Sequence, residues 1–300
     1  MRVGEARERE GEEMRTVSFV AVLDRLNEAI DFCTQVGLDA RQSRFFRYRE
    51  RIAELLGALS LRPLSLQRPD YEYVVPLCEA TEFGDAVEVL KHGDIESLRG
   101  KLRAVLKGPF LPIDEDDATS LSRNTLFELT VAARLTRAGF HAVIGDSPDV
   151  SCSLQGKDLL FECKRVASAS KIRTRIKEAE KQLRDDLTRA RPGSRGAIAV
   201  SVSKVLNPGD KFLAAEDEAS LRREFRRRVE DVAERVRPRW AKYQGTDIVV
   251  VWFSAITPSL VREPGMYVVS QQMVSHSFGR RAIDSQLLKE LEAGLMRTHS

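Results

Sequence analysis

The chain has 300 residues, 42% of them hydrophobic and 31% charged, with a formal net charge of +3. That length and apolar content suffice for sizeable cores without disulfides and exclude a disordered chain, while the charge by itself is too small to argue for nucleic acid. No apolar run of about 18 residues is present for a membrane span, and the four cysteines, at 33, 78, 152 and 163, have neither metal-finger spacing nor a disulfide pattern, which points to a reducing cytoplasm.

Met1 to Glu13 is densely charged and lacks the apolar stretch of a signal peptide. Met14 opens a better helical context, so residues 1–15 are expected to be disordered or a start-site extension. Helical spacing then appears at Phe19, Leu23, Leu26, Ile30 and Cys33, and again at Phe45, Tyr48, Ile52, Leu55, Leu56 and Leu59. Pro69 to Pro76, with Tyr71 and Tyr73, is expected to be extended. A further helix is predicted from Ile95 to Leu106, with Asp94 as N-cap and Gly108-Pro109 as its stop. Residues 1–107 thus read as an all-α accessory domain without recognisable chemistry. A linker over 108–119 follows, whose acidic run Asp114 to Asp117 is expected to be solvated rather than a metal site.

The informative stretch runs from Asn124 to Lys164. Phe127 to Leu135 predicts a helix, with Ser120 or Ser122 at its start and Gly139 past its end. Val131, Ala132 and Leu135 stand at i+3, i+4 and i+7 from Glu128, so a carboxylate sits on an apolar stripe and needs a cationic partner there. Three strand-like runs come next: Phe140 to Ile144, Asp149 to Leu154, and Asp158 to Lys164, separated by Gly145-Asp146-Ser147-Pro148 and Gln155-Gly156-Lys157. Alternation on the third puts Leu160, Glu162 and Lys164 on one face, and a turn can bring Asp149 beside Glu162.

Two carboxylates about 4 Å apart repel by roughly 4 kcal/mol at an effective dielectric of about 20, and a divalent cation relieves that repulsion. Oxygen donors without a nearby His favour Mg²⁺ or Mn²⁺ over zinc. Asp149 and Glu162 are the expected primary ligands, Glu128 a supporting or second-metal ligand, and the Cys163 carbonyl a further oxygen. The metal would polarise a scissile phosphate, and Lys164 would orient the attacking water or balance developing charge. An acidic residue two positions before a lysine is expected about twice by chance in such a composition, so the triplet alone is weak. Here it occurs once, at Glu162, ending an apolar run 13 positions after Pro148-Asp149.

Pro148-Asp149, then Glu162-Cys163-Lys164, with Glu128 on the preceding helix, resembles the PD-(D/E)XK nuclease superfamily. The likeness spans roughly residues 120 to 203, where helix, three strands, helix and strand follow that family's core order. The resemblance implies a restriction-endonuclease-like mixed sheet flanked by helices, and Mg²⁺-dependent phosphodiester cleavage with Glu128, Asp149, Glu162 and Lys164 as catalytic residues. It implies no particular substrate, since the superfamily includes restriction, repair, recombination and transposition enzymes as well as RNA-acting and inactive members.

From Ser170, Ile172, Ile176, Ala179, Leu183, Leu187 and Ala190 define a helix ended by Pro192-Gly193, with a cationic excess on its other faces. Arg173, Arg175 and Gln182 are candidate nucleic-acid contacts there, although for any one arginine a solvated face is the simpler reading. A helix from Ser220 to Arg237 carries Arg226-Arg227-Arg228, which would grip nucleic acid or form a charged solvent face with equal ease. Asp247 to Ser254 reads as a strand covered on both faces, with Trp252 and Phe253 in the core. Met266 to Val269 reads as another strand, and Ala282 to Met296 as a closing helix. His141 is read as structural.

The whole predicts an α/β protein with an all-α N-terminal domain and a nuclease-like domain over 120–300. The expected activity is metal-dependent hydrolysis of phosphodiester bonds in DNA. A catalytically silent nucleic-acid-binding or defence-complex module of the same fold and an RNA nuclease are the alternatives. Nucleic acid is the expected partner, with a second copy of the chain or a defence-system protein left open and no membrane.

Overall fold

In the computed structural model the described residues are 14–61, 71–115, 120–154, 156–209, 211–236, 242–243, 246–278 and 282–297. The expectation for Met1 to Glu13 therefore lies outside them, as do Pro69, Gln155, Arg237 and the Asp116-Asp117 part of the acidic run. The first described element is a short strand, β1 (Arg15–Ser18), in the region expected to be wholly helical. Ser18 then caps α1 (Phe19–Gln35), its hydroxyl accepting the Ala21 N–H at 3.2 Å. Next comes α2 (Arg44–Leu61), with Phe45, Tyr48 and Ile52 buried at the predicted spacing.

The extended piece expected at Pro69 to Pro76 is instead the start of a helix, α3 (Tyr71–Leu90), with Pro76 inside it. An interior proline costs about 3 kcal/mol through its missing N–H and its ring clash. Burying Val74, Val75, Leu77 and Phe83 outweighs this, because each such side chain contributes about 1.5–3 kcal/mol. Phe83 stacks on Phe45 with ring centroids 4.0 Å apart. The next helix, α4 (Ile95–Val105), has the predicted Asp94 cap, whose carboxylate accepts from the Glu96 and Ser97 N–H groups. Past it, Gly108 has φ +117°, and a Cβ there would meet Ser122 Oγ at 2.3 Å, so this crossing to the next helix requires glycine.

The helix carrying Glu128 is α5 (Leu121–Arg137). It ends in a Schellman arrangement: Gly139, at φ +86°, donates to Thr136 O and Phe140 donates to Leu135 O. The predicted meander follows as β2 (Ala142–Ile144), β3 (Val150–Leu154) and β4 (Lys157–Arg165), then α6 (Ile172–Arg189) and β5 (Arg195–Ser201). A short α7 (Ser203–Leu206), β6 (Leu213–Ala215), α8 (Glu218–Glu234), β7 (Ile248–Val261), β8 (Met266–Ser277) and α9 (Ala282–Arg297) follow among the described residues.

The eight strands among the described residues form one curled mixed sheet in the order β1-β8-β7-β5-β4-β3-β2, with β6 added beside the second half of β7. Strands β4, β5 and β7 run parallel, whereas β3 pairs antiparallel with both β2 and β4, and β8 pairs antiparallel with both β7 and β1. Helices flank both faces. Apolar side chains of α1 to α5 and α9 pack with Phe161, Cys163 and Trp252 in one continuous cluster, so the region expected to be an accessory domain shares a core with the helix and strands that follow it. On the opposite face Leu160, Ile198, Val200 and Phe253 pack under α6 and α8. Trp252, 4.9 Å from Phe161, is core as expected, and β7 is covered on both sides. No described helix is long and apolar enough to cross a membrane.

Candidate metal-binding carboxylate site

The antiparallel ladder of β3 and β4 starts at Val150 opposite Phe161, which sets Asp149, the residue before it, alongside Glu162. Asp149 is fixed by the strand itself: its Oδ2 accepts the Cys163 N–H at 2.7 Å. Glu162 is in the interior of β4, 1% exposed, and its Oε2 accepts from Lys164 Nζ at 3.0 Å, as expected for i and i+2 on one strand face. Glu128 reaches the same locus from α5. Its Oε2 accepts from Lys101 Nζ at 3.1 Å, and that ammonium also donates to the Gly145 carbonyl at 2.6 Å and lies 3.3 Å from Asp146 Oδ1.

Electrostatics tie the carboxylates together. Burial, then the charge of Asp149, pushes Glu162 up to about 7, against the opposing pull of Lys164. Burial, then Asp149, raises Glu128 above the usual carboxylate range, with Lys101 opposing. Asp149 is raised by burial, partly offset by the Cys163 N–H, Lys164 and Lys101. The thiol of Cys163 is pushed well above its ordinary value by burial, so it is a neutral packing group and contributes through its backbone.

Two participants were not foreseen. Lys101 supplies the cation that Glu128 needs, from a helix that precedes the motif. Asp186 of α6 is buried, its Oδ1 accepts from Ser147 Oγ at 2.6 Å and Arg189 Nη2 at 2.8 Å, and its charge raises both Asp149 and Glu162. A signal for it existed: Asp186 is seven residues after Ala179 and three after Leu183, a carboxylate on an apolar helical stripe like Glu128.

The arrangement stops short of a ready-made cage. Among the described residues no group of three or more His, Cys, Asp or Glu side chains is disposed to hold a metal ion. The donors do fit a hard cation of lower demand. Mg²⁺ is commonly held by one or two carboxylates with water completing its octahedron, and Asp149 beside Glu162 supplies that pair of oxygens. Burial, and second the charge of Asp149, raises Glu128 and Glu162, and a dication would offset both effects.

The expected nucleic-acid contacts divide. Gln182 is exposed one helical turn before Asp186. Arg173 and Arg175 are exposed about 10–14 Å before Gln182 along α6. Arg173 donates to the Arg235 carbonyl, and Arg175 pairs with Glu178 at 2.8 Å. Arg226 and Arg227 lie on α8, which packs over β6, β7 and β8, and β5 separates β4 from β7. They therefore lie away from the carboxylates. Each is also paired within its helix, Arg226 with Glu230 and Arg227 with Glu224 and Asp231. A cavity of about 510 Å³ at the α1–α2 connection and the end of α4 is lined by none of the site residues. Comparison with known proteins returns no match to a family model, a curated protein or a solved structure.

Proposed function

We propose that the chain is a metal-dependent nuclease of the PD-(D/E)XK type that hydrolyses phosphodiester bonds, with DNA as substrate and Mg²⁺ or Mn²⁺ as cofactor. The observation that carries the reading is the side-by-side placement of Asp149 and Glu162 with Lys164 bonded to Glu162, on two adjacent strands with Glu128 arriving from the preceding helix. Three separate elements converge on one anionic locus, which separate surface roles for these residues do not require.

Asp149 and Glu162 would hold the cation, with Glu128 and the Cys163 carbonyl as further oxygens. Bound there, it would supply Lewis acidity at a phosphate oxygen. The chain's own groups do the rest. The Cys163 N–H restrains one oxygen of Asp149 and so orients the carboxylate. Lys164, anchored on Glu162, presents an ammonium to the phosphate and its incoming water, where it balances charge that grows as the phosphorus–oxygen bond breaks. Lys101 keeps Glu128 near the β2–β3 turn.

One observation favours a second reading, a silent nucleic-acid-binding module: no three-ligand cage is preformed among the described residues, and Lys101 already neutralises Glu128. Cleavage assays separate the two. With Mg²⁺ or Mn²⁺ the wild type should cut DNA, and Glu162→Ala and Lys164→Ala should abolish cutting while still binding DNA. Absence of cutting on DNA and RNA substrates across both metals would favour the silent module, and cutting of RNA alone would redirect the substrate assignment.

A further inference from the structure

Glu115 belongs to the acidic run expected to be a solvated linker, yet its side chain is only 10% exposed. A single 3₁₀ turn at Pro112–Asp114 delivers it into the fold. Three cations from three elements meet it there. Arg123 Nη1 of α5 is 3.1 Å and Arg165 Nη1 of β4 is 3.8 Å from its Oε1, and Lys204 Nζ of α7 donates to its Oε2 at 3.1 Å.

One carboxylate serves these cations incompletely. Glu115 Oε1 and Arg123 Nη1 are both buried and ion-paired at 3.1 Å, yet neither makes a hydrogen bond, to the other or to any other described residue, and Arg165 is beyond hydrogen-bond reach of Glu115. Arg123 is anchored from behind by Glu79, Tyr48 and the Pro109 and Phe110 carbonyls, so it is a rigid wall of the locus rather than a mobile arm. Arg165 and Lys204 keep 20% and 29% of their side chains exposed and form its open side. Burial, and then the charge of Arg165, lowers the Lys204 ammonium from its ordinary value, with Glu115 opposing, and Glu79 and Glu82 of α3 also lie in the field of Arg165.

The topology supports a ligand role. Strands β4 and β5 are parallel, Arg165 is the last residue of β4, and α7 with Lys204 begins two residues after β5 ends, so the cations line the carboxyl ends of parallel strands. Open α/β sheets bind ligands at that edge. A phosphate group offers more acceptor oxygens and more charge than a carboxylate, and it matches guanidinium and ammonium donors that approach from different directions.

We propose that Arg123, Arg165 and Lys204 form a phosphate-binding subsite in which Glu115 is a displaceable internal occupant. Arg165 directly follows Lys164 and points to the other face of β4. The subsite would thus take a phosphate other than the one under attack, a role that rests on the nuclease reading, whereas the binding itself does not. Glu115 competes for the subsite and weakens binding there.

Isothermal titration with inorganic phosphate in EDTA tests this on the wild type, Glu115→Gln, Arg165→Gln and Lys204→Gln. Glu115→Gln should bind phosphate about tenfold or more tightly than the wild type, and Arg165→Gln and Lys204→Gln about tenfold or more weakly. Binding by Glu115→Gln no tighter than by the wild type, or by Lys204→Gln at unchanged affinity, overturns the proposal. Should Glu115→Gln fail to fold, the two cation variants decide, because their side chains are partly exposed. Oligonucleotides of one sequence with a 5′-phosphate or a 5′-hydroxyl identify the source: preference for the former marks a terminal phosphate, equal binding a backbone phosphodiester. Tightened phosphate binding by Glu115→Gln together with no cleavage by any form would leave the subsite standing and remove the nuclease reading.

Discussion

Replacing Glu79 by Gln probes the junction that carries Arg123 and the start of α5. Glu79 is buried on α3 between two buried guanidinium groups: Arg44 Nε donates to it at 2.8 Å, Arg123 Nε donates to its other oxygen, and Tyr48 Oη lies 3.2 Å away. Burial alone would raise this carboxyl, but Arg44, Arg123 and Arg165 overcome that and hold it down to about 2. A fall from 4.5 to about 2 corresponds to about 3 kcal/mol of stability. Because the folded-state value is depressed, that contribution is complete above pH 4.5, the unfolded value, and is lost as pH falls toward about 2. Glu79→Gln cannot supply it, removes the carboxylate paired with buried Arg44 and leaves buried Arg123 with Glu115 alone, a loss of about 3–5 kcal/mol near neutrality. Urea denaturation followed by circular dichroism from pH 7 downward should show the wild type more stable by about that amount at pH 7, with the difference shrinking steadily below pH 4.5. A difference that stays constant with pH, or one below about 1 kcal/mol at pH 7, would refute the reasoning.

Other perturbations test neighbouring parts of the account. Asp149→Asn removes one of the repelling charges, so without a divalent cation its melting temperature should equal or exceed that of the wild type, while its affinity for Mn²⁺ in calorimetry should drop about tenfold or more. Marked unfolding of this variant would mean that Asp149 is structural. Gly108→Ala should destabilise the protein by at least about 2 kcal/mol, because φ +117° is strained for any L side chain and the new Cβ meets Ser122 Oγ; a change within about 0.5 kcal/mol in chemical denaturation would contradict the described crossing.

The carboxylate locus could be read from the chain because its parts follow local rules. Alternation places Glu162 with Lys164, Pro148 and the turn deliver Asp149, and Gly139 marks where α5 must stop. What escaped depends on partners far away in sequence. The four residues of β1 carry too little pattern to announce a strand, and its register is supplied by Val268 to Gln271 of β8. In α3, Pro76 read as a breaker, but burial between α1, α2 and α5 overrode its local cost. Pro258 likewise hid the second half of β7, which pairs with β8 on one side and β6 on the other. Lys101 lies 27 positions before Glu128, so no spacing rule links them. The arginines of α8 show the opposite failure, a conspicuous run whose charges are neutralised by neighbours one turn away.

A crystal of the protein soaked in Mn²⁺, with anomalous scattering collected at the manganese edge, tests the central claim most directly. The account predicts an anomalous peak within about 2.0–2.3 Å of carboxylate oxygens from both Asp149 and Glu162, absent in Glu162→Ala. Manganese found only at exposed acids elsewhere, with the oxygens of these two residues left uncoordinated, would contradict it.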